Sequence, residues 1–475
     1  MHRVLSLIVL GAWGCGAGSA FAARGIDCDL IDETEGLTDL HCGSIQVPED
    51  HRNANGRTLD LTYVVLEAEH SGSEGYPLIF LSGGPGAKTL TVGRLNDWST
   101  NPIRQERDII LFDQRGIGYS SALPDLGGEV FEILASDADE KEESLLLGRL
   151  IRKYRDICRE RDVSLEHYNT FQSARDTGAV MKSLGYDKYN LYGVSYGTRL
   201  ARVVQSEFPA LVHAVVHNSP NPMGEDFLGS RLASYSLALE RVFEHCRHDT
   251  ACNRSYPELE SSYFAAIRTL SSQPLTVELE DREFVVNAQD GIYLLRRALY
   301  RVSSLKSVPK VIQELQSGGG DALVELLEYE RQLNDLINFS MLLSVERYEA
   351  FDPSATASSI SESYSRYRLL PVKLGFFDSF YRAGMVWHDA TLAREARVFE
   401  PSVRPTLLMV NQFDPVTPPE SALLFQKTLT SSQLLILDEG GHGEGKKECR
   451  NQVMMQFMND PAGILDTACL NLVEP

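Results

Sequence analysis

No block of basic residues interrupts this 475-residue chain, in which 45 Lys and Arg face 66 Asp and Glu. Without such a block the footprint of a phosphate-backbone binder is missing, so nucleic acid is not an expected partner. C-x-x-C and H-E-x-x-H are also absent, which leaves a zinc site without a motif to carry it. Past the N-terminal leader, no apolar run reaches the roughly 20 residues that a membrane-spanning helix needs. Internal repeats and long low-complexity tracts are missing too. The remaining composition is that of an ordinary globular protein, 43% hydrophobic and 23% charged, with a formal net charge of −21. That acidity reads as a solvated surface. The length exceeds one typical domain, which predicts one large domain with an insertion, or two domains.

The N-terminus reads as a targeting segment. A short basic start, His2-Arg3, precedes an apolar run from Val4 to Trp13, and Ala20-Phe21-Ala22 supplies an A-x-A site. Cleavage is expected after Ala22, giving a mature protein that is exported, periplasmic or secreted. Lipidation at Cys15 is disfavoured by the bulky Trp13 just before it. Seven cysteines then remain, and an oxidising compartment favours their pairing. Proximity in sequence suggests Cys28–Cys42, Cys246–Cys252 and Cys449–Cys469, with Cys158 left over; reduced thiols are the alternative.

Along the chain, Ser44 to Pro48 and Arg57 to Glu67 read as an opening hairpin. Leu59, Leu61, Tyr63 and Val65 alternate with polar residues at the period of a half-buried strand. Pro77 to Leu81 and Asp108 to Asp113 are instead short continuous apolar runs, which suit parallel strands buried on both faces. Residues 126 to 160 look helical and exposed, and Ser173 to Leu184 reads as a helix with Ser173 as N-cap and Gly185 at its end. Further strands are expected at 189–192, 211–217, 405–410 and 433–438. Between about 223 and 395 the pattern turns helical, as in Leu228 to Cys246 and Leu323 to Leu343, with one hairpin from Leu275 to Asn287. The expected fold is an α/β sheet protein interrupted by a helical insertion: leader 1–22, core 23–222, cap 223–395, core 396–475.

The chemistry centres on Gly193-Val-Ser-Tyr-Gly197, a G-x-S-x-G match between an apolar strand and a helical pattern. That is the context of a nucleophile elbow, where glycines two before and two after the serine relieve a tight turn. A serine needs a base, and the base an orienting carboxylate. Of His245, His248, His388 and His442, only His442 follows a late strand, flanked by glycines. Asp414 follows the strand at 405–410; Asp438 is a rival that directly ends its own strand. Backbone N–H groups of Tyr196 and of Gly84, in the turn Ser82-Gly-Gly-Pro-Gly86, are expected to form the oxyanion hole; Pro85 has no N–H to offer. No metal or organic cofactor is required. His213 and His217 read as packed residues, and His167 as a loop decoration.

Five segments together resemble the exported prolyl and tripeptidyl aminopeptidases of the α/β-hydrolase fold. They are Ser82-Gly-Gly-Pro-Gly86, Asp113-Gln-Arg-Gly-Ile-Gly-Tyr-Ser120, Gly193-Val-Ser-Tyr-Gly-Thr198, Asp414-Pro-Val-Thr-Pro418 and Gly441-His-Gly443. The resemblance implies an α/β-hydrolase with a mostly parallel sheet and a helical cap. It also implies a serine exopeptidase that releases one to three residues from a peptide with a free N-terminus. A carboxylesterase, or another small-molecule acyl hydrolase, is the alternative on the same fold. The sequence departs from the family pattern at Ser82, where prolyl iminopeptidases carry His. It departs again at Arg347 and Gly384, where a pair of family cysteines is missing, which implies a looser cap. A carboxylate is needed to hold the substrate ammonium; Glu349 is the first candidate and Glu225 the second.

Overall fold

The computed structural model describes residues 23–70, 75–301, 303–393, 399–438, 440–443 and 445–473. The expected leader with Cys15, and the expected domain boundary after residue 395, lie outside them. Among the described residues ten strands form one sheet. In chain order they are β1 Arg24–Ile26, β2 Leu40–Pro48, β3 Thr58–Leu66, β4 Leu78–Leu81, β5 Ile109–Phe112, β6 Tyr189–Val194 and β7 Val212–Asn218; a separate hairpin, β8 Leu275–Glu278 and β9 Glu283–Val286, comes before β10 Thr406–Asn411, β11 Ser432–Leu437 and β12 Leu472–Val473. The sheet order is β1-β2-β3-β5-β4-β6-β7-β10-β11-β12. From β5 to β11 all neighbours are parallel, while β1 to β3 and β12 run antiparallel at the two edges. Every residue of β4 and β5 is buried, as continuous apolar runs in a doubly covered sheet require.

Side chains alternate between two apolar layers. Ile79, Leu81 and Leu191 face one, Leu78, Phe80 and Val216 the other. The strand order makes β4 the point of reversal, with β5 on one side and β6 on the other. Connections leave β4 in opposite directions, so a crevice opens at the carboxyl ends of β4 and β6, where open α/β sheets bind ligands. Leu81 and Gly193 are paired in register at that edge.

Three local expectations need correction. The helix expected from Ser173 begins three residues earlier, at Thr170, because Asn169 caps it by accepting the N–H groups of Phe171 and Gln172. The helical stretch expected across 323–343 is two helices, Asp321–Leu336 and Phe339–Glu349. It breaks because Asn338 takes the N-cap role for Met341 while its own N–H donates to Gly86 O, 2.9 Å away. The break thus docks the insertion on the glycine turn after β4. Residues 126–160 are helical, yet Glu143, Leu147 and Ile151 are buried under helix Gly375–Gly384 rather than exposed.

The disulfides are Cys28–Cys42, Cys246–Cys252 and Cys449–Cys469. Cys158 is a buried free thiol that burial pushes up to about 11. Gly384 is closely packed: a Cβ there would meet Phe351 and Leu343 at 2.8 and 2.9 Å.

Candidate active site

β6 ends at Val194 and helix Tyr196–Glu207 starts at once, leaving Ser195 alone to make the turn. Its backbone takes φ 56° and ψ −124°, a region that non-glycine residues avoid and that functional sites tolerate. The elbow survives because its flanks are bare. A Cβ on Gly197 would lie 2.0 Å from Leu81 O, and one on Gly193 2.4 Å from Gly197 O. The Ser195 N–H donates to Asn218 O at 2.9 Å, which ties the turn to the end of β7.

His442 and Asp414 arrive from the loops after β11 and β10. Ser195 Oγ lies 2.8 Å from His442 Nε2, and His442 Nδ1 lies 2.8 and 2.9 Å from the two Asp414 oxygens. Asp414 is fully buried and acceptor-only, so the ring proton sits on Nδ1 and Nε2 is left to accept from the serine. Burial works to raise the Asp414 carboxyl. His442 and the hydrogen bonds from Thr417 and Ser219 overcome it and hold the group below the usual carboxylate range. Oδ1 accepts the N–H groups of Val416 and Thr417, and Oδ2 the hydroxyls of Thr417 and Ser219. Asp438 ends β11 at the exposed surface.

The other histidines lie elsewhere. His217 is fully buried against Phe425, and burial lowers its pKa to about 3. His213 contacts the Met458 carbonyl and His248 pairs with Glu244. His388 is buried, with Nε2 on Ser344 O, and the His245 ring meets Phe413.

The glycine turn after β4 abuts the serine. A Cβ on Gly83 would stand 3.0 Å from Ser195 Cβ, and Gly84 has φ +107°. The turn is braced from beneath. Ser82 spends its hydroxyl on Ala87 O and Thr89, and Asp113 Oδ1 accepts the N–H groups of Thr89 and Leu90. Tyr196 is the first residue of the elbow helix; its ring is buried and its hydroxyl meets Thr170, so only its backbone N–H is free to serve the serine.

Glu349 and Glu225 fare differently. Glu349 is 1% exposed, and its carboxylate is taken by Arg199 Nη1 at 3.1 Å and the Thr170 N–H at 2.7 Å. Sequence position made it the first candidate for a substrate ammonium; its enclosure leaves it no free face. Glu346 beside it is likewise spent on Arg231 and Arg199. Glu225 is half-buried, feels Arg199 and Arg231, and is hydrogen-bonded to Ser421.

Three contributors escaped the sequence. Thr417 lies inside a quoted motif, but only the fold shows its hydroxyl on Asp414. Ser219 joins the two loops by donating to Asp414 and accepting from the Gly443 N–H. Tyr300, from the insertion, accepts the His442 N–H on its carbonyl at 2.7 Å and sets its ring edge-on at 5.2 Å. A backbone carbonyl leaves no signature in a sequence.

Residues 76–290 match the family described as alpha/beta hydrolase fold, and residues 384–469 the family described as TAP-like protein. The chain has the α/β-hydrolase fold. Among curated relatives of this chain, the tripeptidyl aminopeptidase of Streptomyces lividans is 30% identical over 224 residues, 44% of this chain and 41% of that protein. Serine protease Hip1 of Mycobacterium tuberculosis (strain ATCC 25618 / H37Rv) is 26% identical over 238 residues, 46% of this chain and 42% of its own length. The chain therefore matches about two fifths of the length of these relatives. YuaR of Escherichia coli (strain K12) aligns over 99% of this chain and 97% of its own length, at 20% identity. Among the described residues no helix is long and apolar enough to cross a membrane.

Proposed function

We propose that this α/β-hydrolase is an exported serine exopeptidase that releases a short N-terminal fragment, one to three residues, through an acyl-enzyme on Ser195. The observation that carries the reading is the continuous run Ser195 Oγ–His442–Asp414, closed at 2.8 Å on each side of the imidazole. His442 Nε2 takes the hydroxyl proton as Ser195 attacks the scissile carbonyl, and Asp414 stabilises the imidazolium that forms. The N–H groups of Tyr196 and Gly84 are assigned to the oxyanion, each worth roughly 10²–10³ in rate. His442 then protonates the leaving amine. Water, deprotonated by the same ring, attacks the acyl carbon and frees the fragment.

The peptidase half of the reading is supported by the relatives named above, and export by three disulfides, which persist in oxidising compartments. Glu225 is the carboxylate proposed to meet the substrate ammonium, since Glu349 already neutralises Arg199. The deciding experiment uses one chromogenic peptide with a free or acetylated N-terminus, next to a simple ester. Cleavage of the free form, lost on acetylation and in Ser195→Ala, is expected, and Glu225→Gln is expected to raise KM for it. Equal cleavage of both peptides, or turnover of the ester alone, would show an acyl hydrolase of another kind.

A further inference from the structure

His442 stands in a loop of almost no regular structure, Gly440 to Gly443, with Gly441 at φ +95° and Gly443 at φ +74°. Such a loop gives the ring reach but no stiffness of its own. Two asparagines supply anchor points. Asn411, the last residue of β10, donates its amide to Gly441 O at 2.8 Å, and Asn218, the last residue of β7, donates to Gly443 O at 2.8 Å. β7 and β10 are parallel neighbours, so the two amides grip the loop on either side of His442.

An asparagine amide can turn over, and either one turned would face an oxygen to a loop carbonyl and push the loop away. One residue prevents both. Arg450, near the start of helix Lys447–Asn459, donates Nη1 to Asn218 Oδ1 at 2.9 Å and Nη2 to Asn411 Oδ1. Arg450, Asn218 and Asn411 are all buried, at 5%, 1% and 0% exposure. A guanidinium presents two parallel donors in a rigid fork; a lysine offers one compact charge and cannot serve two amides in the same way.

We propose that Arg450 is a positioning residue for the reaction: it locks the two asparagine amides so that they hold the His442 loop where Nε2 meets Ser195. The inference rests on the roles given above to Ser195 and His442. Among the described residues Arg450 is hydrogen-bonded to neither of them and reaches the loop through Asn218 and Asn411. It also lines a cavity of about 340 Å³, walled by Phe80, Trp98 and Tyr192, which Ser195, Asp414 and His442 do not line. That cavity gives a small solute a route to the space a shortened side chain would leave.

The test compares wild type, Arg450→Ala, Arg450→Lys and Ser195→Ala. A fluorophosphonate probe measures how fast Ser195 is phosphonylated, steady-state assays on the cleaved peptide give kcat and KM, and thermal melts confirm folding. A loop displaced by about 1 Å costs on the order of 10²-fold. Arg450→Ala is expected to lose about 10- to 10²-fold in kcat and in labelling rate, with KM nearly unchanged. Arg450→Lys should fall almost as far. Millimolar guanidinium should partly restore Arg450→Ala and leave Arg450→Lys unchanged. A folded Arg450→Ala labelled at the wild-type rate overturns the proposal, as does full activity in Arg450→Lys; the lysine variant decides if the alanine variant does not fold. A lowered melting temperature without loss of kcat, or a loss that guanidinium does not restore, assigns Arg450 a structural role only and also overturns it. Equal labelling of wild type and Ser195→Ala sinks the nucleophile reading itself, and this inference with it, a result distinct from the others.

Discussion

Asp414 receives six hydrogen-bonding contacts on two oxygens, two of them from the His442 ring. Those from backbone and hydroxyls fix its plane, so His442 is met by a carboxylate that cannot rotate away. Asp414→Asn keeps the shape but offers an amide, which favours the wrong imidazole tautomer. The expected loss in kcat is roughly 10⁴, the scale seen when a serine-protease triad loses its aspartate, with a lower melting temperature at neutral pH because an amide NH2 cannot accept the bonds made to a carboxylate oxygen. Because the carboxyl is held below its usual value, its contribution to stability is present at neutral pH and disappears as pH falls through the folded pKa. Ser195, Asp414 and His442 were readable as residues because each sits in a short glycine- or proline-marked loop directly after an apolar strand. The surroundings of Glu349 are not readable for the opposite reason: whether a helical glutamate faces a cleft or an arginine depends on the partner helix, here through Arg199.

The elements carry the strain of the site. Gly197 is the second residue of the elbow helix, and a Cβ on it would stand 2.0 Å from Leu81 O and 2.9 Å from Ser82 O, so β4 and the helix start can touch only without a side chain between them. Gly197→Ala is expected to cost more than the usual 1–3 kcal/mol of core overpacking, since the obstacle is backbone on both sides. A melting curve reads this directly, and a wild-type melting temperature would contradict the packing described. The strands from β3 to β7 and β10 to β11 followed from apolar runs to within a residue or two, whereas β2 starts four residues before Ser44 and the short edge strands β1 and β12 carry no such run. Helix limits were less legible. Asn169 and Asn338 both reset a helix start through side-chain capping, and Asn338 does so because its N–H is drawn to Gly86, a long-range bond that periodicity does not contain.

At the scale of the whole molecule, the insertion is seated on the core through a buried seam of acidic groups. Glu143, on helix Glu140–Glu160, faces helices Gly375–Gly384 and Ala288–Ala298 and accepts from Gln289 and Ser379. Burial, with added repulsion from Asp378 and Glu140, pushes it up to about 8 from an ordinary 4.5. Asp290, buried in the same seam, is also raised, while Lys373 and Arg382 pair with Glu140, and Arg382 with Asp378. The folded protein thus binds a proton that the unfolded chain has released, and stability declines as pH rises from about 4.5 to about 8. Glu143→Gln mimics the neutral form. Its melting temperature should exceed wild type at pH 8 and match it at pH 5; equal curves at pH 8 would show that the seam does not titrate.

The sequence by itself pointed to the fold class, to most of the strands and to the loops that carry Ser195, Asp414 and His442. These follow from local rules: apolar period, glycine-relieved turns, and the chain order in which loops leave a parallel sheet. Tertiary structure alone decided that Glu349 is consumed by Arg199, that Tyr300 reaches His442 from the insertion, and that Arg450 clamps Asn218 and Asn411. Each is a contact across more than a hundred residues or through a backbone atom, or depends on which way an amide faces. Such facts are set by how packed elements meet, and no local pattern encodes them.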